Sequence, residues 1–333
     1  MLNNMMIFGN IGDNETPKYI RIVNAFKESI ETNSYQIGDK VPSINQFSKD
    51  FSISRDTVYK AYTVLKKQGL IKSTPNKGYY ISESRRKVLV LISTFKAYKE
   101  VFYHSFMNNI PDNVIVDLQF HHYNIKNFKS MLENDNTRYY KYIVMGFEHP
   151  EVKECLSEID SERLLLIDWK ANLGEEGNYV FQDFGKAFYS CLERARHLFE
   201  KYNKLTFVYP DFTYHPVEAL EFFQKFCDTY NIKYAICTNY NELKVERENA
   251  YISVNDRILY ELLTQCNDAI FELGLDVGIL SYNDTPLKKF THKGISVISV
   301  DFNEFGVKVA EFITSNNGLQ TYLTTKLILR DSL

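Results

Sequence analysis

The side chains best placed to do chemistry fall into two groups of different kind. The first is a tight run, Ser54-Arg55-Asp56-Thr57-Val58-Tyr59-Lys60. If it is helical, Val58, Ala61, Tyr62 and Leu65 fall at i, i+3, i+4 and i+7 and form a buried stripe. Arg55, Asp56, Thr57, Tyr59, Lys60, Thr63 and Lys67 are then left on the other side. Such a face, laid in a DNA major groove, reads base edges with its first turns and grips phosphates with its cations. Arg55 carries the planar fork that a bidentate contact to guanine needs. The competing explanation is an ordinary solvated helix face.

The second group is scattered, and each member stands at the end of a short apolar run. Asp168 and Trp169 follow LLLI, Asn255 follows AYISV, Asn283 follows VGILSY, and His215 opens the segment after LTFVYP. Phe95, Phe147, Glu148 and Phe181 occupy comparable run ends. Planar polar side chains beside aromatic surface are what a sugar requires, the first for its hydroxyls and the second for its apolar face. For the aromatics the competing role is core packing, and for Asn255 and His215 it is helix capping. His121-His122-Tyr123 does not read as a metal site, because adjacent residues at a strand end point to opposite faces.

These residues need elements to hold them. Ser43 can cap a short helix, with Gln46 completing a capping box and Phe47 and Phe51 facing inward. Ser54 caps the next helix, and Gly69 stands where a left-handed C-terminal cap is expected. Leu70-Ile71-Lys72 and Gly78-Tyr79-Tyr80-Ile81 flank the turn Thr74-Pro75-Asn76-Lys77 as a β-wing. Upstream, Pro17 to Ile30 reads as an amphipathic helix presenting Tyr19, Ile22, Val23, Phe26 and Ile30.

In order and spacing, this stretch resembles the DNA-binding domain of the GntR family of bacterial repressors. The matching phrases are Pro17-Lys18-Tyr19, Gly38-Asp39-Lys40-Val41-Pro42-Ser43, Ser54-Arg55-Asp56-Thr57-Val58, Ala61-Tyr62, Leu65, Gly69-Leu70-Ile71 and Gly78-Tyr79-Tyr80. The resemblance implies a winged helix-turn-helix that contacts DNA through Ser43, Asn45, Ser54, Arg55, Asp56, Thr57, Tyr59, Lys60, Lys77 and Gly78. Asn45 stands where the family usually has an arginine, and Asn76 replaces the first glycine of the wing tip. Both departures bear on which operator is read.

Charge divides the chain in the same way. Residues 1–87 hold 14 Lys+Arg against 8 Asp+Glu, whereas the remainder holds 25 against 34. A basic module on an acidic body suits a DNA-binding head joined to a domain that does not bind DNA. From Lys87 the pattern becomes apolar strands alternating with helical segments, in two series of five strands: 88–93, 114–120, 142–147, 164–168 and 179–183, then 205–210, 234–238, 250–254, 277–282 and 295–300. Helices are expected at 149–159, 184–202, 215–230, 255–273 and 302–314. Unbroken apolar strands between helices mean parallel sheets covered on both faces, and two series mean two lobes. Ligands of such sheets lie off the carboxyl ends of the strands.

The body is similar to the effector domain of the LacI family, which shares its fold with periplasmic sugar-binding proteins. The resemblance is carried by Phe181-Gln182-Asp183-Phe184-Gly185-Lys186-Ala187, Ile252-Ser253-Val254-Asn255-Asp256, Glu272-Leu273-Gly274-Leu275-Asp276-Val277, Ile279 to Leu287, Ile295-Ser296-Val297 and Leu327-Ile328-Leu329-Arg330-Asp331. It implies ligand contacts at Asp168, Trp169, Asn255, Asn283 and His215, with asparagine at 283 where that family often has aspartate. Few cations stand at the strand ends, which favours a neutral sugar; Lys96 and Lys170 are the exceptions.

The expected organisation is a loose N-terminus at 1–14, a winged helix-turn-helix at 15–82, a linker at 83–87 and a two-lobed α/β effector domain at 88–333. Five cysteines in no C-x-x-C pair fit a reduced interior. No basic-then-apolar leader and no membrane-length apolar run is present, so a cytoplasmic protein is expected. No G-x-S-x-G, P-loop or H-E-x-x-H phrase occurs, and neither a catalytic residue nor a cofactor or metal is expected. An aminotransferase-like partner domain needs a longer body, a chorismate-lyase-like one is shorter than this body, and an all-helical one does not fit the repeated apolar strands. The expected function is a dimeric, ligand-responsive repressor that binds double-stranded operator DNA under control of a monosaccharide or derivative. The alternative is a sugar-modifying α/β enzyme with an incidental winged helix, which needs a reactive constellation that the sequence does not supply.

Overall fold

The computed structural model describes residues 16–32, 34–75, 77–82, 86–171, 173, 175–315 and 317–333, apart from 134–138 within that span. The N-terminal segment, linker residues 83–85 and Asn76 of the wing tip lie outside the described residues. The chain divides into two units: one up to Lys87 with Asp112–Ile115, the other Val88–Pro111 with Val116–Leu333.

The first unit runs α1 (Lys18–Glu31), β1 (Lys40–Val41), α2 (Ile44–Phe51), α3 (Arg55–Lys67), β2 (Ile71–Thr74) and β3 (Gly78–Ile81). Phe26 of α1 is the hub of its core, with Tyr35, Phe47 and Tyr62 ring centroids 5.8, 6.0 and 5.9 Å away. The expected stripe of Val58, Ala61, Tyr62 and Leu65 is buried. Tyr62 also donates its hydroxyl to the carbonyl of Pro42 at 2.8 Å, tying α3 to the entrance of α2. Gly69, at φ 72°, closes α3: its N–H donates to Lys66 O while that of Leu70 donates to Leu65 O, as in a Schellman motif. The capping box forms only by half. Ser43 Oγ accepts from the Gln46 N–H at 3.2 Å, but the Gln46 side chain turns forward to Asp50. The wing gains a third strand that sequence reading missed: β1 pairs with β3, Lys40 opposite Tyr80. Two residues are too few to show a period.

The second unit holds two six-stranded sheets, ordered β14-β8-β7-β6-β4-β5 and β10-β9-β11-β12-β13-β15. The first lobe comprises β4 (Arg86–Ile92), α4 (Ala97–Asn109), β5 (Val114–Phe120), α5 (Ile125–Glu133), β6 (Lys141–Met145), α6 (Pro150–Ser157), β7 (Leu164–Asp168) and β8 (Asn178–Phe181). In the second are α7 (Lys186–Phe199), β9 (Lys204–Val208), α8 (Val217–Tyr230), β10 (Tyr234–Cys237), β11 (Asn249–Ser253), α9 (Asp256–Asp268), β12 (Val277–Tyr282) and β13 (Ser296–Ser299). Helix α10 (Phe302–Thr314) and β14 (Gln320–Tyr322) return to the first lobe, and β15 (Lys326–Ile328) goes back to the second. The chain therefore crosses between lobes three times, and the two strand series stay in separate sheets.

Several expectations need correcting. The closing strand β15 runs antiparallel to β13, so the second sheet is not wholly parallel. Arg86 and Lys87 belong to β4 rather than to a linker. The expected helix 255–273 ends at Asp268. Helix α4 escaped sequence reading because its buried side includes Lys99 and Ser105 beside Phe102 and Phe106, which erases the apolar stripe.

Helices α4 and α10 pack unusually close. A Cβ on Gly306 would lie 2.6 Å from the Phe106 nitrogen and 2.7 Å from the Phe102 carbonyl oxygen. Ser105 Oγ meanwhile donates to Asn303 O at 2.7 Å. Backbone cannot yield as a flexible side chain can, so Gly306→Ala is expected to lower stability by about 1–3 kcal/mol. A shifted urea midpoint for unfolding of the body checks this.

Candidate DNA-reading face and ligand cleft

Helix α3 carries the DNA candidates. Ser54 Oγ accepts the Thr57 N–H at 3.3 Å and lies 2.7 Å from Thr57 Oγ1, so both side chains also serve the helix start. Arg55, Asp56, Tyr59 and Lys60 are exposed on the first two turns, and Tyr59 keeps 61% of its surface. Asn45 is exposed on α2, and Ser43 caps that helix. Lys77 is exposed at the wing turn, where Tyr80 donates its hydroxyl to the Lys77 carbonyl at 2.9 Å. Gly78, at φ 103°, begins β3. Polar side chains from α2, the start of α3 and the wing thus stay free of the head's core.

The ligand candidates belong to the second unit. A cavity of about 410 Å³ opens between the lobes, within the roughly 300–1,000 Å³ of small-molecule sites. Strand ends of both sheets supply its lining. Tyr98 and Lys96 follow β4, Asp168 and Trp169 end β7, and Gln182 follows β8; from the second lobe come His215 after β9, Asn255 after β11 and Asn283 after β12. Asp168, Trp169, His215, Asn255 and Asn283 are therefore brought together.

Four other candidates lie elsewhere. Phe147 and Phe181 are buried in the first-lobe core, Phe147 stacked on His121 at 4.9 Å and Phe181 on Tyr179 at 4.7 Å. Phe95 packs edge-on to Phe120 and Tyr103 outside the cavity lining, and Glu148 is exposed outside it too. Strand alternation decides this. A run end names a position but not the side to which its side chain points. Lys170 also stays off the cavity, 3.9 Å from Glu175. Tyr282, the last residue of the run 277–282, and Tyr98, in a stretch with no expected element, also line the cavity; neither is among the sequence-derived candidates.

The second-lobe wall is held by a buried lysine. Lys288 donates to Ser281 Oγ (3.1 Å) and to the carbonyls of Tyr282 (2.7 Å) and Asn283 (2.9 Å), and pairs with Asp256 at 2.9 Å. Those bonds hold Asn283 in its left-handed conformation, φ 61°. The His215 ring meets those of Tyr282, at 4.3 Å, and Phe184, at 5.2 Å, edge to face. Within this wall the His215 Nε2, Tyr282 hydroxyl and Asn283 Oδ1 are buried and find no partner among the described residues. Asn255 is partly committed, since its Oδ1 accepts the Ile258 N–H at 3.0 Å and caps α9.

In the first lobe, Asp168 sits at φ 75° and accepts from the Gln182 amide. Burial pushes its carboxyl up, against the pull of Lys99 and Gln182. Lys99 is itself buried; its ammonium donates to Ser93 Oγ at 2.6 Å, and burial brings it down to about 8. Two cations, Lys96 and Arg257, and two carboxylates, Asp168 and Asp256, line the cavity. Arg257 lies over the rings of Phe212 (4.9 Å) and Tyr240 (5.1 Å). His121 is buried, with Nε2 3.0 Å from the Met145 carbonyl, and no set of three or more His, Cys, Asp or Glu among the described residues is placed to hold a metal.

A winged helix-turn-helix head and a two-lobed body with a cleft between parallel sheets define the architecture. Residues 18–81 match the family described as bacterial regulatory proteins, gntR family, so the head is a helix-turn-helix domain of that family. The head is 40% identical over 70 residues to the uncharacterized HTH-type transcriptional regulator YcxD of Bacillus subtilis; the match takes in 21% of this chain and 16% of YcxD, so the chain spans about a sixth of that relative. The trehalose repressor of Escherichia coli superposes with a TM-score of 0.63 at 14% identity, covering 74% of this chain and all of that one. A LacI family transcriptional regulator of Enterococcus faecalis with bound ribose gives 0.58 at 13% identity, covering 74% and 98%. These likenesses establish the body's fold as that of LacI-type, periplasmic-binding-protein-like domains. No helix among the described residues is long and apolar enough to cross a membrane.

The two buried imidazoles set an acid response. Burial lowers His215 to about 3 and His121 to about 4, the latter despite its bond to Met145. Their folded pKa values lie below the unfolded value near 6.5, so the unfolded chain takes up more protons as pH falls. The stability of the neutral folded form is complete above about pH 6.5 and declines toward pH 4, by up to about 1.4 kcal/mol per pH unit for each histidine. His215→Phe should flatten this acid limb by roughly one proton's slope, as read from urea midpoints between pH 7 and 4.

Proposed function

We propose that the protein is a ligand-responsive transcription regulator, acting as a dimeric repressor. Its α3 reads operator DNA, and a neutral monosaccharide or close derivative in the cleft controls it. The observation that carries the effector reading is the trio of unpartnered buried atoms on the second-lobe wall, His215 Nε2, Tyr282 hydroxyl and Asn283 Oδ1. Each buried polar atom without a partner costs about 1–3 kcal/mol. A polyol answers all three, because each hydroxyl both donates and accepts. Neutrality follows from the charges: the cavity lining balances two cations with two carboxylates, and His215 is uncharged near pH 7. The bound ribose of the E. faecalis structure supports the same class of ligand.

Control requires the effector to bind one lobe arrangement better than another, since equal affinity shifts nothing. A twofold dimer presenting one α3 per half-site places the half-sites about a helical turn, or a multiple of it, apart.

Two substitutions separate the roles. With an operator selected from random duplexes, Arg55→Ala is expected to cost about 1–3 kcal/mol of specific affinity at matched salt and to leave sugar binding intact. Lys60→Ala and Lys77→Ala should instead flatten the salt dependence with less change in base preference. In a calorimetric titration of monosaccharides, Tyr282→Phe should weaken binding by about 1–3 kcal/mol while operator affinity without sugar stays unchanged. Asn255→Ala is a poorer probe, because losing its cap also destabilises α9 by about 1 kcal/mol. Wild-type operator affinity in Arg55→Ala, or a sugar that ignores Tyr282→Phe, would overturn the corresponding assignment.

A further inference from the structure

Two tyrosines lining the cavity come from different lobes and meet face to face. Tyr123 follows β5 of the first lobe and Tyr214 follows β9 of the second. Their ring centroids are 3.6 Å apart and their planes differ by 1°. At that separation nothing fits between them.

The two halves of the stack are seated differently. Tyr123 is half-buried; its hydroxyl lies beside Ser93, and its N–H donates to His121 Nδ1 at 3.1 Å. Its ring lies edge-on to those of His121 (5.8 Å) and Phe147 (6.1 Å). Ser93 in turn takes the buried ammonium of Lys99 at 2.6 Å, so a polar chain roots this ring in the first-lobe core. Tyr214 keeps 59% of its surface exposed, and its hydroxyl has no hydrogen bond among the described residues. Its seat is the turn at 209–215, which Tyr209 braces by donating its hydroxyl to the His215 carbonyl.

We propose that Tyr123 and Tyr214 form an aromatic latch across the cleft: their contact holds the lobes closed over the cavity and must part for a small molecule to enter or leave. A face-to-face ring pair is weaker than an offset or edge-on one, and that suits a contact that has to break. An aromatic pair shifts an open–closed equilibrium by roughly two- to tenfold. That is enough to slow release without trapping a ligand. Because the stacked rings leave no gap, the latch can close over a bound ligand only when that ligand lies wholly within the cavity, so a sugar whose second ring projects between the lobes at this point keeps it open. The consequences for release and ligand size rest on the effector reading above; the latch itself does not.

The chain's single tryptophan, Trp169, lines the same cavity and serves as reporter. The first measurement needs no ligand: acrylamide quenching of Trp169 fluorescence in the full chain. Tyr214→Ala is expected to raise the quenching constant about twofold, while Tyr214→Phe, which keeps the ring, stays at the wild-type value. Tyr214 is exposed, so these variants do not test folding. Equal quenching in wild type and Tyr214→Ala, or equal quenching in Tyr214→Phe and Tyr214→Ala, overturns the latch. The second measurement is stopped-flow release of D-ribose, D-glucose, maltose and lactose, followed at Trp169. Tyr214→Ala should speed release of the bound monosaccharide roughly two- to tenfold and narrow the wild-type preference over the disaccharides. An unchanged release rate overturns the latch. If none of the sugars binds the wild type, the effector reading falls, and the quenching comparison still decides the latch.

Discussion

A parallel strand buried on both faces offers polar chemistry only where it ends. That constraint shapes the whole body. Strands such as β6, β11 and β12 are buried along their entire length, so side chains short of their carboxyl ends pack against helices and cannot reach the cavity. Groups open to the cavity are confined to the residues at or just past each carboxyl end, and two sheets opposed across a cleft collect those ends in one place. The cost falls on backbone groups that leave the ladder next to that polar space. In the second lobe a buried lysine meets it, Lys288 satisfying the carbonyls of Tyr282 and Asn283; in the first, the His122 N–H satisfies the Ser93 carbonyl while buried Lys99 holds the Ser93 hydroxyl just past β4. Neither ammonium lines the cavity, yet both shape its floor.

The abundance of aromatic residues has a structural use in both units. In the head, Phe26 joins three helices through rings that leave few rotamers open, which holds α3 at a set angle to α2. In the cleft, the His215 ring meets those of Phe184 and Tyr282 edge to face, and Phe184 and Tyr282 lie tilted to each other, so that three rings build one wall. Rigid amphipathic rings place a hydrogen-bonding group with little side-chain entropy to lose. The same packing keeps His215 neutral, so the wall offers hydrogen bonds without charge.

Much of this was legible in the residues. The caps at Ser43 and Ser54, the stripe of α3, the Gly69 terminus and the strands of the two series follow from local rules of period, capping and turn chemistry. For α4 the inward face is not wholly apolar, and β1 and β14 are too short to show a period. Helix α4 buries Lys99 and Ser105, and β1 and β14 span two and three residues. The candidate site was half legible for a related reason. Asp168, Trp169, His215, Asn255 and Asn283 could be located as strand ends, but Phe147 and Phe181 satisfied the same rule and turned into the core.

The sequence by itself determined most of the helices and strands, that a basic head precedes an acidic two-lobed body, and which short stretches supply polar groups at strand ends. Those properties are local, being written in spacing and composition. Only the tertiary structure decided that Tyr282 faces the cavity, that Asn255 is partly consumed as a cap, that Lys99 and Lys288 lie beneath the floor, and that Tyr123 meets Tyr214. Each of these depends on residues distant in the chain, across strands, turns and the two lobes, and on the direction in which a side chain leaves its strand. Contacts of that kind leave no periodic trace, because they arise when the chain passes three times between the lobes and sets the two sheets end to end.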